Sequence, residues 1–224
     1  MNATLASERP ASTSATERVP TSRYVVFVAV AAVGLAADLA TKAWAFSLLT
    51  LRAGQILWLW DGHVGVQLSR NWGALFGMGQ GKIWLFATLS CVAMLAIPTW
   101  LFVFRAARDF WLTLALGCVM GGVLGNLFDR LGLSGEVWPG PAPGQPDATH
   151  AVRDWILWQA NDQWRWPNFN IADSLLVVGA CLLMLHAAFT PQVAKDEEGY
   201  TLSESLPWRD APIGMPFGSG RTAT

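Results

Sequence analysis

Aspartates are the side chains of this sequence that are best suited to catalysis. The chain contains no Gly-x-Ser-x-Gly, His-Glu-x-x-His, P-loop or dinucleotide-binding motif. Two Asp side chains held close together cannot both ionise easily, so one keeps its proton. The ionised carboxylate can then take a proton from water while the protonated one donates to a carbonyl oxygen. We predict that Asp154 and Asp173 form such a pair, because the apolar runs of the chain place both at a membrane interface where water is available.

Each of these aspartates also has a purely structural interpretation. Asn170 is a plausible helix N-cap, which would place Asp173 in the first turn, where the helix dipole favours a carboxylate. Asp154 follows Arg153, and an Asp at such a position can be a surface residue paired with its neighbour. The sequence alone leaves both alternatives open.

Metal chemistry is not predicted. None of the three histidines, His63, His150 and His186, has a metal-ligand partner at usable spacing. The three cysteines are far apart and lie inside apolar runs, so neither a disulfide framework nor a zinc site is expected.

The composition is typical of a membrane protein. Of the 224 residues, 53% are hydrophobic and only 14% are charged, whereas soluble domains usually carry about 25% charged residues. Thirteen Trp against two Tyr favour a protein with much surface at a membrane interface. The formal net charge of -1 excludes a strongly basic nucleic-acid binder.

Four apolar runs are long enough to cross a membrane, since a span needs roughly 20 apolar residues. We predict a mainly α, integral membrane fold with spans at about 24–46, 83–104, 110–128 and 171–189, within a membrane domain of residues 23–190. Residues 1–22 are predicted to be a disordered cytoplasmic tail, and residues 191–224 a loose cytoplasmic tail. A secretory signal peptide is the alternative for the first run. Apolar character resumes after Asp38, however, and three further spans follow.

The outer segments, residues 47–82 and 129–170, are not simple loops. Residues 47–82 alternate between apolar and polar in places and carry turn signals, which indicates short strands. Residues 133–151 are rich in Gly and Pro and are predicted to be a flexible insertion. Residues 151–166 are polar and rich in Trp, and we interpret them as a loop or helix lying at the headgroup level.

The four spans and outer segments bring most of the polar residues to one membrane face. Charged residues inside spans cost about 2.5–3.5 kcal/mol each, so they suggest function. Arginines in the N-terminal tail and in the 105–109 link place both termini in the cytoplasm, although the outer segments also carry Arg and Lys and the bias is weak. The residues expected at the outer face are Asp38, Lys42, Asn71, Asn126, Asp129, Arg130, Asp154, Asn170 and Asp173.

Structural alternatives remain for some of these residues too. Asp38 and Lys42 are four residues apart on a helix and can simply neutralise each other. Gly117, Gly121 and Gly125 form a ridge that is more typical of close helix packing than of chemistry.

Five motifs in order resemble those of the bacterial lipoprotein signal peptidases, also called signal peptidase II, an aspartic peptidase family of integral membrane proteins. Each motif alone would be weak, but together, on a chain with four spans, they make a strong signal that covers about residues 24–190. The five are Asp38–Lys42, Asn71–Gly77, Gly121–Arg130, Val152–Ile156 and Phe169–Ser174.

This resemblance implies a membrane aspartic endopeptidase that removes the signal peptide from prolipoproteins by cutting before a diacylglyceryl-modified cysteine. Asp154 and Asp173 would be the catalytic dyad, and the strands of the first outer segment would form a small extracytoplasmic β-cradle. The residues implied to bind substrate or support the site are Asp38, Lys42, Asn71, Gly73, Gly122, Asn126, Asp129, Arg130, Asn170 and Ala172.

The resemblance also implies the surroundings of the protein. It would lie in the bacterial inner (cell) membrane with its active site near the outer face, in contact with phospholipid. Neither a metal nor an organic cofactor is expected, and no nucleic-acid partner is expected. Binding of globomycin-type inhibitors is implied, and nothing demands more than a monomer.

The sequence departs from the family pattern in two places. The fourth motif usually reads Val-Val-Asp-Phe, whereas here Arg153 precedes the aspartate and Trp155 follows it. An inward guanidinium would lower the pKa of Asp154, but we expect Arg153 to point outward to headgroups or water. The second departure is the insertion at 133–151, which is interpreted as a lid, a partner site or an inert surface extension.

Two other classes of function remain as alternatives. A small transporter or proton relay also uses charged residues in the membrane, but it predicts polar residues at all depths. The second and fourth spans are apolar through their middles. A non-catalytic membrane scaffold would tolerate replacement of either Asp154 or Asp173.

Overall fold

The computed structural model describes residues 18–48, 55–73, 79, 81–137 and 150–189. Residues 1–17 and 190–224, which hold most of the predicted tails, lie outside this description, as do residues 138–149 of the insertion and 74–77 of the second motif.

Four long apolar helices dominate the described part of the chain, and each is long and apolar enough to cross a membrane. They are α1 (Thr21–Ser47), α2 (Ile83–Pro98), α3 (Phe110–Arg130) and α4 (Ile171–Phe189). A short 3-10 turn, Ala106–Arg108, links α2 to α3. The predicted mainly α membrane fold is thereby confirmed.

Three helices differ in extent from the predicted spans, and one of them, α3, only continues two residues further, to Arg130. Helix α1 begins at Thr21, inside the segment predicted as a tail, because its first turn is polar and so carries no hydropathy signal. Helix α2 ends at Pro98 and continues as a π-helical turn over Thr99–Val103. Proline has no N–H to donate and its ring clashes with the carbonyl four residues back, which accounts for the change of helical type.

Helix α3 is the central helix of the bundle and packs against the other three. About half of its apolar window is buried (56%), compared with 22% or less in the others. Its glycines permit this close approach: a Cβ at Gly122 would lie 2.5 Å from the Ala172 carbonyl oxygen, and one at Gly125 would lie 2.5 Å from Asp38 Oδ2. The packing interpretation of the glycine ridge is therefore correct.

The described parts of the two outer segments form one antiparallel sheet of four strands, in the order β1 (Leu57–Trp60), β2 (Val64–Asn71), β3 (Val152–Asn161) and β4 (Trp164–Arg165). In the β2–β3 ladder, Ser69 pairs with Asp154 and Asn71 pairs with Val152. This register places the start of the second motif beside the fourth, although the paired residues Asn71 and Val152 are 81 positions apart in sequence.

The interpretation of residues 151–166 as a loop or helix is wrong, because this segment forms β3 and β4. The polar and Trp-rich composition of the segment suggested that it lies at the level of the lipid headgroups. The decisive interaction is instead the pairing with β2, which is distant in sequence and leaves no local signal.

Candidate active site

The start of α4 holds Asp173 in a reciprocal capping arrangement. The Asp173 backbone N–H donates to Asn170 Oδ1 at 2.9 Å, and the Asn170 N–H donates to Asp173 Oδ2 at 3.3 Å. These bonds satisfy N–H groups that the first helical turn leaves without partners. The other carboxylate oxygen, Asp173 Oδ1, accepts from Asn126 Nδ2 at 2.8 Å. Asn170 thus caps α4 and Asp173 lies in its first turn, as the structural interpretation predicts, and Asp173 is also part of a wider polar cluster.

Asp154 lies on β3 and is only 2% exposed, so its interpretation as a surface residue paired with its neighbour is wrong. Its Oδ1 accepts from Asn170 Nδ2 at 2.7 Å, and the Asn71 side chain is a further hydrogen-bond partner. Burial raises the pKa of Asp154, the nearby charge of Asp173 raises it as well, and the resulting pKa is about 8. A carboxyl group with this pKa keeps its proton at neutral pH.

The Asn170 side chain connects the two aspartates. Its amide nitrogen donates to Asp154 while its amide oxygen accepts from the Asp173 backbone. The same amide nitrogen also lies 3.2 Å from Asn126 Oδ1, and Asn126 is itself bound to the Asp173 carboxylate. Two carboxyl groups from β3 and α4 are therefore held together by two asparagines from α3 and the α4 N-cap.

A buried ion cluster lies beneath this pair. Lys42 Nζ lies 2.7 Å from Asp38 Oδ2 and 3.0 Å from Asp129 Oδ2, and it donates to Asn126 Oδ1 at 3.2 Å. All three charged side chains are fully buried. The interpretation that Asp38 and Lys42 neutralise each other is therefore correct, but it is incomplete because Lys42 also pairs with Asp129. Asp38 also accepts from the Ala172 backbone N–H at 2.9 Å, which fixes the first turn of α4.

Arg130, Gly73 and Asn71 form one side of the site. Arg130 Nη2 donates to the Gly73 carbonyl oxygen at 3.3 Å, and the Gly73 N–H donates to Asn71 Oδ1 at 3.0 Å. The guanidinium of Arg130 also lies over the Phe86 ring, 5.6 Å from its centroid. Arg130 is close enough to Asp154 and Asp173 for their charges to act on it.

The structure brings every residue predicted for the site to one end of the bundle and the adjoining sheet. Gly122 and Ala172 contribute through the backbone: the glycine lets α3 approach α4, and the alanine donates its N–H to Asp38. Of the histidines, His63 and His150 contact backbone carbonyl groups, whereas His186 lies 3.0 Å from Asp109. Within the described ranges, no three His, Cys, Asp or Glu side chains are placed to share a metal ion.

The expectation that Arg153 points outward is wrong. Arg153 is 6% exposed, and its Nε donates to Asp129 Oδ1 at 2.9 Å. Its backbone N–H donates to the other oxygen of the same carboxylate at 3.1 Å. The sequence carried no local signal for this contact, because Arg153 and Asp129 are 24 residues apart and lie on different segments.

The comparison with known families agrees with this geometry. A family model described as Signal peptidase (SPase) II matches residues 30–189, which include all the site residues above. The chain belongs to the signal peptidase II family.

Relatives of this family extend the match over most of the chain. A lipoprotein signal peptidase of Rhodopirellula baltica is 46% identical over 195 residues, covering 86% of this chain and 83% of the relative. One of Rhodococcus jostii is 36% identical over 176 residues, covering 79% of each.

A solved structure shows the same fold. A bacterial membrane enzyme determined by the in meso method at 2.3 Å resolution superposes with a TM-score of 0.59 at 22% identity. The match covers 81% of this chain and 96% of that one. The fold described above is therefore shared with that membrane enzyme.

Proposed function

We propose that this signal peptidase II is a membrane aspartic endopeptidase that removes the signal peptide from diacylglyceryl-modified prolipoproteins, cutting before the lipidated cysteine. The observation that carries the mechanism is the Asn170 side chain, whose amide nitrogen donates to the Asp154 carboxylate and whose amide oxygen accepts from the Asp173 backbone N–H. The names of its relatives, lipoprotein signal peptidases, support the substrate class.

The two aspartates would act as a pair that shares one proton. Because the pKa of Asp154 is about 8, the pair holds a proton at neutral pH. The ionised carboxylate takes a proton from water as the water oxygen bonds to the scissile carbonyl carbon, and the protonated one donates to the carbonyl oxygen. The resulting tetrahedral intermediate collapses when the C–N bond breaks and the leaving nitrogen receives a proton from the dyad.

The neighbouring polar groups have distinct proposed roles. Asn126 and Asn170 orient the carboxyl groups, since each donates an amide hydrogen to one of them. Arg130 and Asn71, which line one side of the pair, would hold polar groups of the substrate. Asp38, Lys42 and Asp129 would support the site from below through the buried ion cluster.

A groove between α1 and α4 is consistent with a substrate that carries an acyl chain. It has a volume of about 410 Å³ and is lined only by apolar or small residues, from Ala29 and Val33 on α1 to Ile171 and Leu175 on α4. Its lining includes Ala37 and Ile171, the sequence neighbours of Asp38 and Ala172, and Asp38 and Ala172 are joined by a hydrogen bond. An acyl chain lying there would bring an attached peptide close to the two aspartates, which is a proximity effect.

The proposed location is the bacterial inner (cell) membrane, with both termini in the cytoplasm and the dyad near the outer face. Arg23 at the start of α1 and Arg105 and Arg108 before α3 lie at the helix ends away from the dyad, as the positive-inside rule expects of cytoplasmic ends. We propose a monomer that contacts membrane phospholipid and binds globomycin-type inhibitors at the dyad.

The test is cleavage of a diacylglyceryl-modified prolipoprotein in liposomes by the wild type, Asp154→Asn and Asp173→Asn. We expect each replacement to lower kcat by three orders of magnitude or more, on the scale of losses of catalytic residues. Asp162→Asn, at an exposed position after β3, is the matched control and should cleave like the wild type. Full activity in Asp154→Asn or Asp173→Asn would refute the dyad, and an inactive wild type would favour a scaffold.

A further inference from the structure

Arg153 is a buried charge that precedes Asp154 in sequence and lies on the opposite face of β3. Side chains alternate between the two faces of a strand. On one face, Trp155 contacts Trp44 of α1 edge to face, and the Arg153 guanidinium lies 6.0 Å from the Phe46 ring centroid. On the other face, Asp154 bonds to Asn170.

The bond between Arg153 and Asp129 completes a chain of four buried charges. Asp38, Lys42, Asp129 and Arg153 alternate in sign along it, with contacts of 2.7, 3.0 and 2.9 Å. Lys42 contacts two carboxylates, and Arg153 supplies a second cation in direct contact with one of them, so that two cations balance the two carboxylates when both are ionised. Buried ions without partners are costly, so the fourth charge is an integral part of the cluster.

The Asp129 carboxylate holds Arg153 at two points, the backbone N–H and the side-chain Nε. Such a contact fixes the position of the strand and not only that of the side chain. The Arg153 carbonyl oxygen in turn accepts from Asn170 Nδ2 at 3.4 Å, the same amide that binds Asp154. The end of α3 is thereby connected through β3 to the α4 cap.

We propose that Arg153 is a positioning residue: by pairing with Asp129 it fixes β3 against the outer ends of α1 and α3, so that Asp154 is presented to Asn170 and Asp173. Arg153 touches neither of the two aspartate carboxylates through its side chain, so it acts through Asp129 and the strand. This role rests on the proposed peptidase function. It also explains why this chain tolerates a cation beside the dyad aspartate, since the guanidinium is engaged on the far face.

The test compares Arg153→Met, which removes the charge at similar length, with Arg153→Lys, which keeps it. Displacement of a catalytic group by about 1 Å can cost on the order of a hundredfold in rate. We therefore expect Arg153→Met to lower kcat by about tenfold to a hundredfold with KM within about twofold. Arg153→Lys should recover most of the kcat. Arg165→Met, at an exposed arginine on β4, is the matched control and should leave both constants unchanged.

Several outcomes would overturn the proposal. One is Arg153→Met with the kcat of the wild type, and another is a raised KM at constant kcat, which would instead make Arg153 a substrate-binding residue. If Arg153→Lys lost as much kcat as Arg153→Met, the charge of the side chain would not be sufficient and a role for the ion pair would be excluded. An inactive wild type would refute the peptidase function itself and is distinct from all three.

If Arg153→Met does not accumulate as folded protein, stability provides the measurement. Removal of Arg153 alone leaves Asp38 and Asp129 to share the single cation Lys42, whereas removal of the Asp129 charge as well leaves Lys42 paired with Asp38 alone. The double variant Asp129→Asn, Arg153→Met should then give a higher yield and melting temperature in detergent than Arg153→Met alone. A double variant that is no more stable than the single one would overturn the pairing, independently of any activity.

Discussion

The two ends of the helix bundle are built on different principles. At the dyad end, Asp38, Lys42 and Asp129 are fully buried and make ionic contacts at 3.0 Å or less. At the other end, the core consists of Phe27, Leu101 and Leu116 with their apolar neighbours. Dispersion contacts tolerate small displacements of many atoms, whereas a buried charge depends on a few atoms at fixed positions. At the polar end, the same contacts therefore determine both stability and the geometry of the proposed dyad.

Helix α3 joins the two regions, since its first half supplies Leu116 and Met120 to the apolar core and its last turns supply Asn126 and Asp129 to the site. A destabilising replacement in the apolar half of α3 should reduce the amount of folded protein. A replacement in the polar half should in addition reduce the cleavage rate of each folded molecule. This difference can be measured with matched replacements.

The largest effect is expected from Lys42→Met, which leaves Asp38 and Asp129 facing each other without their shared cation. Breaking a buried ion pair from one side costs about 3–5 kcal/mol. We expect a large fall in melting temperature in detergent and loss of cleavage in the folded fraction. Leu101→Ala, in the apolar core, should cost about 2–5 kcal/mol in stability through the cavity it creates, with kcat per folded molecule unchanged.

Lys82→Met, at an exposed lysine before α2, is the control for the loss of a positive charge. It should melt and cleave like the wild type. If Leu101→Ala lowered kcat as much as Lys42→Met does, the proposed separation of the two ends would be wrong.

Two glycines on α3 give a smaller but closely matched comparison. In Gly125→Ala, the new methyl group would lie 2.5 Å from Asp38 Oδ2, so the carboxylate must move away from Lys42 or the Ala172 N–H. In Gly117→Ala, it would lie 3.1 Å from Val30, which can yield by a few tenths of an ångström. Overpacking typically costs about 1–3 kcal/mol.

We expect Gly125→Ala to lose stability at the upper end of this range together with a reduced kcat. Gly117→Ala should lie at or below the lower end with normal kcat. Melting temperature and single-turnover cleavage, measured on the same samples, distinguish the two. Equal kcat in both variants would show that Asp38 is not held in place for catalysis.

The same division explains which features the sequence could predict. The apolar runs indicated four spans because hydropathy is local, and the motifs indicated the site residues because they resemble a known family. Two features of the structure were not predicted from the sequence. The strand over Val152–Asn161 depends on pairing with β2, which lies about 80 residues away in sequence. The inward orientation of the Arg153 side chain depends on its ion pair with Asp129. Both are contacts between distant segments, which no local pattern encodes.

The smallest expected effect is a response to pH at the dyad end. Burial and the charge of Asp173 raise the pKa of Asp154 to about 8, far above the unfolded value of about 3.9. The folded state therefore binds more protons than the unfolded state between these values. The contribution of this group to stability is complete below about pH 4 and is lost as the pH rises through about 8.

Activity should follow the same titration, because a fully ionised pair has no proton to donate. We expect kcat to fall about tenfold per pH unit above roughly pH 8, as the remaining proton leaves the pair. The melting temperature in detergent should also decrease from pH 6 to pH 9 in the wild type and much less in Asp154→Asn. Leu101→Ala, which alters only the apolar end, should keep the wild-type pH profile. A wild-type kcat that stays constant up to pH 10 would mean that the proton required for cleavage does not reside on Asp154.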